Sequence, residues 1–300
     1  MNIGIFFLFR NMSIEERKNA EGFEHLAKAD KYLETSYLKL KFNPDWDSAA
    51  DELNKAAVCF KVARNWKSCK EAHLRACEGY ANSGSLYHAG KQLEQALFIS
   101  KEQNDLSQVE ELAGRGGLLY RQAGSPEAAA QLLVKAAKLL EPSSPENAIG
   151  LYQKASETVG TEDRTIEAAQ HMETACKLMV RVKQYDRAAD ALDKTLQLYS
   201  EGGVAAAAGR VVLAFILVQL QRGDSVAANK VYNSWGAFMD SQQAAAAKDI
   251  TQGFSDLDRE LAQAGLGSAV VRSLDNDYVK LARDIQLPAQ ANDDEELDLC

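Results

Sequence analysis

"SPEAAAQLLVKAAKLL" (125–140) is followed by "SPENAIGLYQKASETV" (144–159), "RTIEAAQHMETACKLM" (164–179) and "QYDRAADALDKTLQLY" (184–199). Each segment has the apolar spacing of one amphipathic helix. Alanines align at Ala128, Ala148, Ala168 and Ala188, and a second small residue follows seven positions later at Ala155, Ala175 and Thr195. The same spacing joins Ala49 to Ala56 and Ala89 to Ala96. Two small residues seven apart share one helix face and let a neighbouring helix approach closely. A period of twenty per helix is about forty per helix pair, near the repeat lengths of tetratricopeptide and HEAT arrays. The expected fold is all-α, a TPR-like α-solenoid of antiparallel helical hairpins with an extended concave surface.

The helix boundaries support this phasing. Ser125-Pro126-Glu127 and Ser144-Pro145-Glu146 each offer a cap, a proline suited to a first helical position and an acidic first turn. Gly84, Gly124, Gly160, Gly202-Gly203 and Gly223 punctuate the helix ends. Beyond residue 230 the rhythm weakens. Four regions are expected: 1–18, a disordered N-terminal extension; 19–230, the solenoid; 231–288, a C-terminal helical bundle; and 289–300, an acidic flexible tail that orders only when bound.

Composition narrows the function. A net charge of −9 over 300 residues argues against nucleic-acid binding, which draws its affinity from cations neutralising phosphates. It suits a partner with a basic patch instead. The five cysteines, Cys59, Cys69, Cys77, Cys176 and Cys300, form no C-x-x-C pair, which fits a reducing cytosol. Cys300 is the last residue, so it cannot be a prenylation box. "MNIGIFFLFR" is too short to span a bilayer and lacks the basic region of a secretory signal. It is read either as preceding a start at Met12 or as placing Phe6, Phe7 and Phe9 against a membrane surface. "VVLAFILVQL" (211–220) is expected to be a buried helix.

Signs of catalysis are missing. There is no G-x-x-x-x-G-K-[ST] loop, no H-E-x-x-H helix and no G-x-S-x-G elbow. "AGRGGLLY" (113–120) lies within the repeats, where a tight helix contact explains it better than a phosphate cradle. His25, His73, His88 and His171 fall on separate helices, and Cys176 sits at a core-facing small position. The chain reads as a non-enzyme with no cofactor and no metal site.

Three features point outward. "SYLKLKFNPDWDSA" (36–49), a loop between the first two helices, carries Tyr37, Leu38, Leu40, Phe42 and Trp46 beside Lys39 and Lys41. Such a set either enters a lipid interface or tucks under the first hairpin. Lys135, Lys138, Lys154, Lys177, Arg181, Lys183 and Arg187 are candidates for gripping an acidic, rod-like partner. The ending "NDDEELDLC" (292–300) combines Asp293, Asp294, Glu295, Glu296 and Asp298 with Leu297 and Leu299. Its carboxylates would steer it to a basic surface, where the leucines supply apolar contact.

Several segments carry a resemblance. "EGFEHLAKADKYL" (21–33), "FNPDWDSAADELNKAAVCFK" (42–61), "LYHAGKQLEQA" (86–96), "DNDYVKLA" (275–282) and the acidic Leu-Cys ending resemble the soluble NSF attachment protein family, in particular its gamma branch. The similarity runs from about residue 19 to the end, with the middle repeats more diverged. What this implies is a cytoplasmic adaptor, peripheral on membranes, that binds assembled SNARE bundles on its concave face and recruits the hexameric ATPase NSF. It would act in vesicle fusion and intracellular protein transport, including ER–Golgi traffic. The resemblance assigns NSF binding to Asp293, Asp294, Glu295, Glu296, Leu297 and Leu299, and membrane contact to the 36–46 loop. It does not fix the SNARE-facing cations one by one. Without the resemblance, the same features describe a TPR-like peptide-binding scaffold with no part in driving an ATPase.

Overall fold

The computed structural model describes residues 13–35, 42–161 and 164–288, and all statements below concern those residues. No strand occurs among them. The helices are α1 (Ile14–Leu33), α2 (Trp46–Val62), α3 (Trp66–Asn82), α4 (Leu86–Glu102), α5 (Val109–Gln122), α6 (Pro126–Leu140), α7 (Pro145–Gly160), α8 (Thr165–Arg181), α9 (Tyr185–Glu201), α10 (Ala205–Gln221) and α11 (Ser225–Trp235). A 3₁₀ turn (Gly236–Phe238) then leads into α12 (Ser241–Ser255), α13 (Arg259–Leu266), α14 (Ala269–Arg272) and α15 (Asn276–Asp284). The chain divides into two compact units at Pro142/Ser143. Within each, successive helices pack on one another as hairpins, the arrangement expected of a TPR-like solenoid.

The step between helices is set locally. Helices begin at residues 46, 66, 86 and 126 in the first unit, and at 145, 165, 185, 205 and 225 in the second. Only α5 starts late, because residues 106–108 form a turn before it. Seven of the turns share one device, a residue in the left-handed region: Arg64, Gly84, Asn104 and Gly124, then Lys183, Gly203 and Gly223. The following N–H returns to a carbonyl five residues earlier, as Asn65 does to Phe60 (2.9 Å), Ser85 to Tyr80 (2.8 Å), Ser125 to Tyr120 (2.8 Å) and Gln184 to Met179 (2.9 Å). This closes one helix in the Schellman manner. The same residue's carbonyl then opens the next helix, as Asn65 does by accepting from Cys69 N–H at 2.9 Å. Asn65 also caps that helix, its side chain accepting from Ser68 N–H at 3.2 Å.

The small-residue face is where helices meet. Ala49, Ala56, Ala89, Ala96, Ala148, Ala155, Ala168, Ala175, Ala188 and Thr195 are all buried. One phase differs from the sequence reading: Ala128 is half-buried, and Ala129, seven residues before the buried Ala136, takes the equivalent place. The reason is a one-residue shortening of the step from α6 to α7, which coincides with the boundary between the units. Close approach is tight at Gly116, where a Cβ would lie 2.5 Å from Leu132 Cδ2. The glycines of "AGRGGLLY" are therefore a helix contact within α5. Leu53, Phe60, Leu93, Leu97 and Leu132 fill the first unit, and Ile149, Tyr152, Met179, Leu192, Leu196 and Leu213 the second.

A longer repeat of polar bonds overlies the twenty-residue step. Tyr80 Oη donates to Asp51 (2.6 Å), Tyr120 Oη to Glu94 (3.0 Å) and Tyr199 Oη to Glu173 (2.7 Å), each from one helix to an earlier one. Burial, together with the facing carboxylate, raises all three phenols, so each remains a proton donor.

Two boundaries differ from expectation. The first helix begins at Ile14 rather than near residue 19, held by a capping box in which Ser13 Oγ accepts from Glu16 N–H (3.1 Å) and Glu16 accepts from Ser13 N–H (2.7 Å). The loop expected to run to residue 49 ends at Asp45, whose side chain caps α2, so Trp46 is a helical residue. The 211–220 segment is buried along its whole length within α10, and no described helix is long and apolar enough to cross a membrane.

The turn device has a measurable consequence. Gly124→Ala places a Cβ in the left-handed region and should cost about 1 kcal/mol, whereas Arg64→Gly removes such strain and should stabilise by up to about 1 kcal/mol. Urea midpoints should move in opposite directions for the two variants.

Candidate functional site

The segment "DNDYVKLA" forms the start of α15, which packs back onto α8 and α10 in the second unit. Asp275 precedes the helix and Asp277 lies in its first turn, where negative charge is favoured by the helix dipole. Both carboxylates meet cations of α8. Lys177 Nζ stands 2.8 Å from Asp275 and 3.1 Å from Glu173. The Arg181 guanidinium makes a forked contact to Asp277, with Nε 3.2 Å from Oδ1 and an Nη 2.9 Å from Oδ2. Burial lowers and the two carboxylates raise the Lys177 ammonium pKa; the net direction is upward, so it stays charged.

Between these pairs Tyr278 is almost wholly buried and closes a small cavity of about 90 Å³ with Glu173, Arg210, Ser273 and Asp275. Leu274, Leu281, Ala282 and Ile285 complete the apolar seam. α15 is therefore fastened to the body one turn of chain before the tail begins. The tail residues Asp293, Asp294, Glu295, Glu296, Leu297 and Leu299 lie outside the described residues.

This seam changes the reading of the cation set. Four of the seven candidates already hold partners within the chain: Lys177 and Arg181 as above, Lys135 with Glu94, and Arg187 with Glu146 at 2.8 Å. Lys135 also lies 6.0 Å from the centre of the Phe98 ring. Lys138, Lys154 and Lys183 are exposed. Lys138 and Lys135 belong to the first unit and the other five to the second. Sequence reading missed a groove of about 630 Å³ in the second unit, where Lys194, Arg222, Lys230 and Trp235 line a surface shared with Asp190 and Asp193. Its signal was weak because the cations are spread out: Lys194 stands on α9, Arg222 just after α10 and Lys230 on α11.

Of the loop residues, Tyr37, Leu38 and Leu40 lie outside the described residues. Phe42 is 61% exposed, while Trp46 is half-buried at the start of α2. The backbone there is tied to the first helix by Asp45 N–H donating to Tyr32 C=O at 3.0 Å.

The remaining titratable groups are packed. Cys176 is fully buried and its thiol is pushed up to about 12 by burial, which keeps it a poor nucleophile; Cys69 and Cys77 are pushed up to about 11 for the same reason. His73 is buried against Gln92 (2.7 Å), and burial lowers its pKa, so it stays neutral. His88 stacks near Tyr80 and Tyr87. His171 is a helical neighbour of Glu167, at 3.7 Å.

Comparison with known proteins follows the same lines. Residues 20–263 match the family model described as soluble NSF attachment protein, SNAP. The gamma-soluble NSF attachment protein of Dictyostelium discoideum is 26% identical over 277 residues, covering 91% of this chain and 85% of the relative. That of Arabidopsis thaliana is 25% identical over 282 residues, covering 91% and 96%. Among solved structures, aspartyl phosphate phosphatase F from Bacillus subtilis aligns with a TM-score of 0.36 at 16% identity, over 84% of this chain and 59% of that one. With the family model spanning α1 to α13, the chain belongs to the soluble NSF attachment protein family.

Proposed function

We propose that this chain is a non-enzymatic adaptor, cytoplasmic and peripheral on membranes, that binds assembled SNARE bundles and recruits and stimulates NSF to take them apart. The observation that carries this reading is family membership across 20–263, on a body of helical hairpins. Hairpin arrays present broad surfaces rather than enclosed pockets, which fits a rod-like partner. Lys138, Lys154 and Lys183 are exposed cations ready for an acidic bundle. Arg187, in an exposed pair with Glu146, can exchange partners at little cost because surface ion pairs contribute only about 0–1 kcal/mol. The acidic tail, with Leu297 and Leu299, is the proposed contact to the ATPase. The α8–α15 seam would hold the root of that tail in place, so that force applied to the tail is delivered to the body.

With purified components, this protein should retain NSF on immobilised SNARE complex and support ATP-dependent disassembly. Deleting 293–300 should abolish stimulation while leaving SNARE binding intact. Unchanged stimulation after the deletion would favour a peptide-binding scaffold without ATPase coupling.

The seam can be tested separately. Arg181→Glu should speed hydrogen exchange in α15 and reduce disassembly more than SNARE binding. Combining it with Asp277→Arg should restore both, since the forked pair is re-formed with its charges exchanged. Failure of the double variant to recover would remove the seam from the mechanism.

For the loop, Phe42→Ser should weaken binding to anionic liposomes with no change in melting temperature, because that side chain is exposed. Trp46→Ser should lower both, as its half-buried ring also packs. Liposome binding unaffected by either variant would assign the two residues to packing alone.

A further inference from the structure

Along the chain the four histidines stand on separate helices, and no pair of cysteines has metal-ligand spacing. The fold nonetheless brings three unlike donors together at the first hairpin. Glu21 and His25 stand four residues apart on one face of α1, and Cys59 faces them from α2. One donor atom from each lies within 4.8 Å of the other two. Cys59 is buried, His25 is largely covered and Glu21 is partly exposed. The cluster therefore sits at the rim of the hairpin core, with one side open to water.

A fourth residue prepares the histidine. Glu52 Oε2 lies 2.7 Å from His25 Nδ1, and its other oxygen lies 2.6 Å from Lys55 Nζ. Lys55 first, then His25, hold the Glu52 carboxyl below its usual range, so it is an anion that accepts a hydrogen bond. With the imidazole proton drawn to Nδ1 in this way, Nε2 keeps its lone pair for a ligand. A carboxylate behind a histidine is the usual outer support of a metal-bound imidazole. Glu21 is also held anionic, by Lys18, whose Nζ stands 2.7 Å from Oε2.

We propose that Glu21, His25 and Cys59 form a three-ligand site for a zinc-type divalent ion, with Glu52 as the positioning residue for His25. One sulfur, one nitrogen and one oxygen donor with a fourth place for water is a zinc-type set. Calcium and magnesium, which select oxygen cages, do not suit it. Donors around a tetrahedral ion of this size are about 3.5 Å apart, so the three side chains must draw in by roughly 1 Å. Glu21 supplies most of that freedom, being the most exposed of the three. Binding replaces the Lys18 ammonium at Glu21 and releases the Cys59 thiol proton to solvent, so affinity rises with pH. Burial raises that thiol and opposes its ionisation, which keeps the site modest rather than irreversible. The ion would join α1 to α2 towards the turn that follows α2, where Asn65 Nδ2 donates to Asn19 Oδ1 at 2.8 Å, and its role would be independent of the adaptor function.

The test uses tag-free, full-length protein titrated with Zn²⁺ against a chromogenic chelator, and with Co²⁺ followed by absorbance. One equivalent of zinc should bind, and cobalt should give a thiolate charge-transfer band in the near ultraviolet. Cys59→Ser should abolish the band and weaken zinc binding by about tenfold or more, and Glu52→Gln should weaken it about 10–100-fold. Lys18→Ala should tighten binding by removing the internal competitor, a gain that misfolding cannot mimic. Cys300→Ser should change nothing. Absence of stoichiometric zinc in the unmodified protein, binding that survives Cys59→Ser, or a Lys18→Ala variant that binds no tighter would each overturn the proposal.

Discussion

The structure depends on a turn that leaves no freedom in the step from one helix to the next. A left-handed residue, a return hydrogen bond five residues long and a restart of helix fix where most of the helices begin. Because the step is twenty residues for most of the chain, equivalent positions fall on equivalent faces, and the small residues four into each helix meet without any long-range instruction. Packing then selects the residue types. At Gly116 even a methyl group would collide with Leu132, and at Ala49 or Ala168 anything larger would push apart helices whose other contacts are already closed.

The fold was therefore legible, since its determinants are local and repeat. The error at Ala128 is instructive. Aligning by a constant twenty from Ala148 selects Ala128, but the step from α6 to α7 is one residue short, and Ala129 is the buried position. A run of three alanines offers no means of choosing among them by composition. The start of α1 at Ile14 was likewise written in Ser13 and Glu16, a capping box that the neighbouring apolar stretch obscured.

The sites were less legible, for a different physical reason. Charges are read from sequence one at a time, whereas their availability depends on what the fold sets opposite them. Lys177 and Arg181 look like solvated cations of α8 until α15, nearly a hundred residues later, returns to cover them. Glu21 and His25 share a helix face on any helical reading of "EGFEH", yet nothing in the chain before folding says that α2, running antiparallel, places Cys59 beside Glu21 and Glu52 beside His25.

Two kinds of polar contact now separate by what they can do. The tyrosine–carboxylate bonds of Tyr80, Tyr120 and Tyr199 are shielded, and breaking one leaves a buried donor unmet, at about 1–3 kcal/mol. They fix helix to helix and are poor candidates for exchange. Pairs such as Arg187 with Glu146 have both side chains about half exposed, so the bond in place is worth little and an outside carboxylate replaces it almost without loss. On the proposed function, a chain of net charge −9 would in this way bind an acidic partner, its internal carboxylates holding the cations in geometry until the partner's carboxylates take them over. The pairs of α15 stand between these limits. Asp277 is largely covered while Arg181 is half exposed, so that seam is firmer than the Arg187–Glu146 pair and more readily exchanged than the tyrosine bonds.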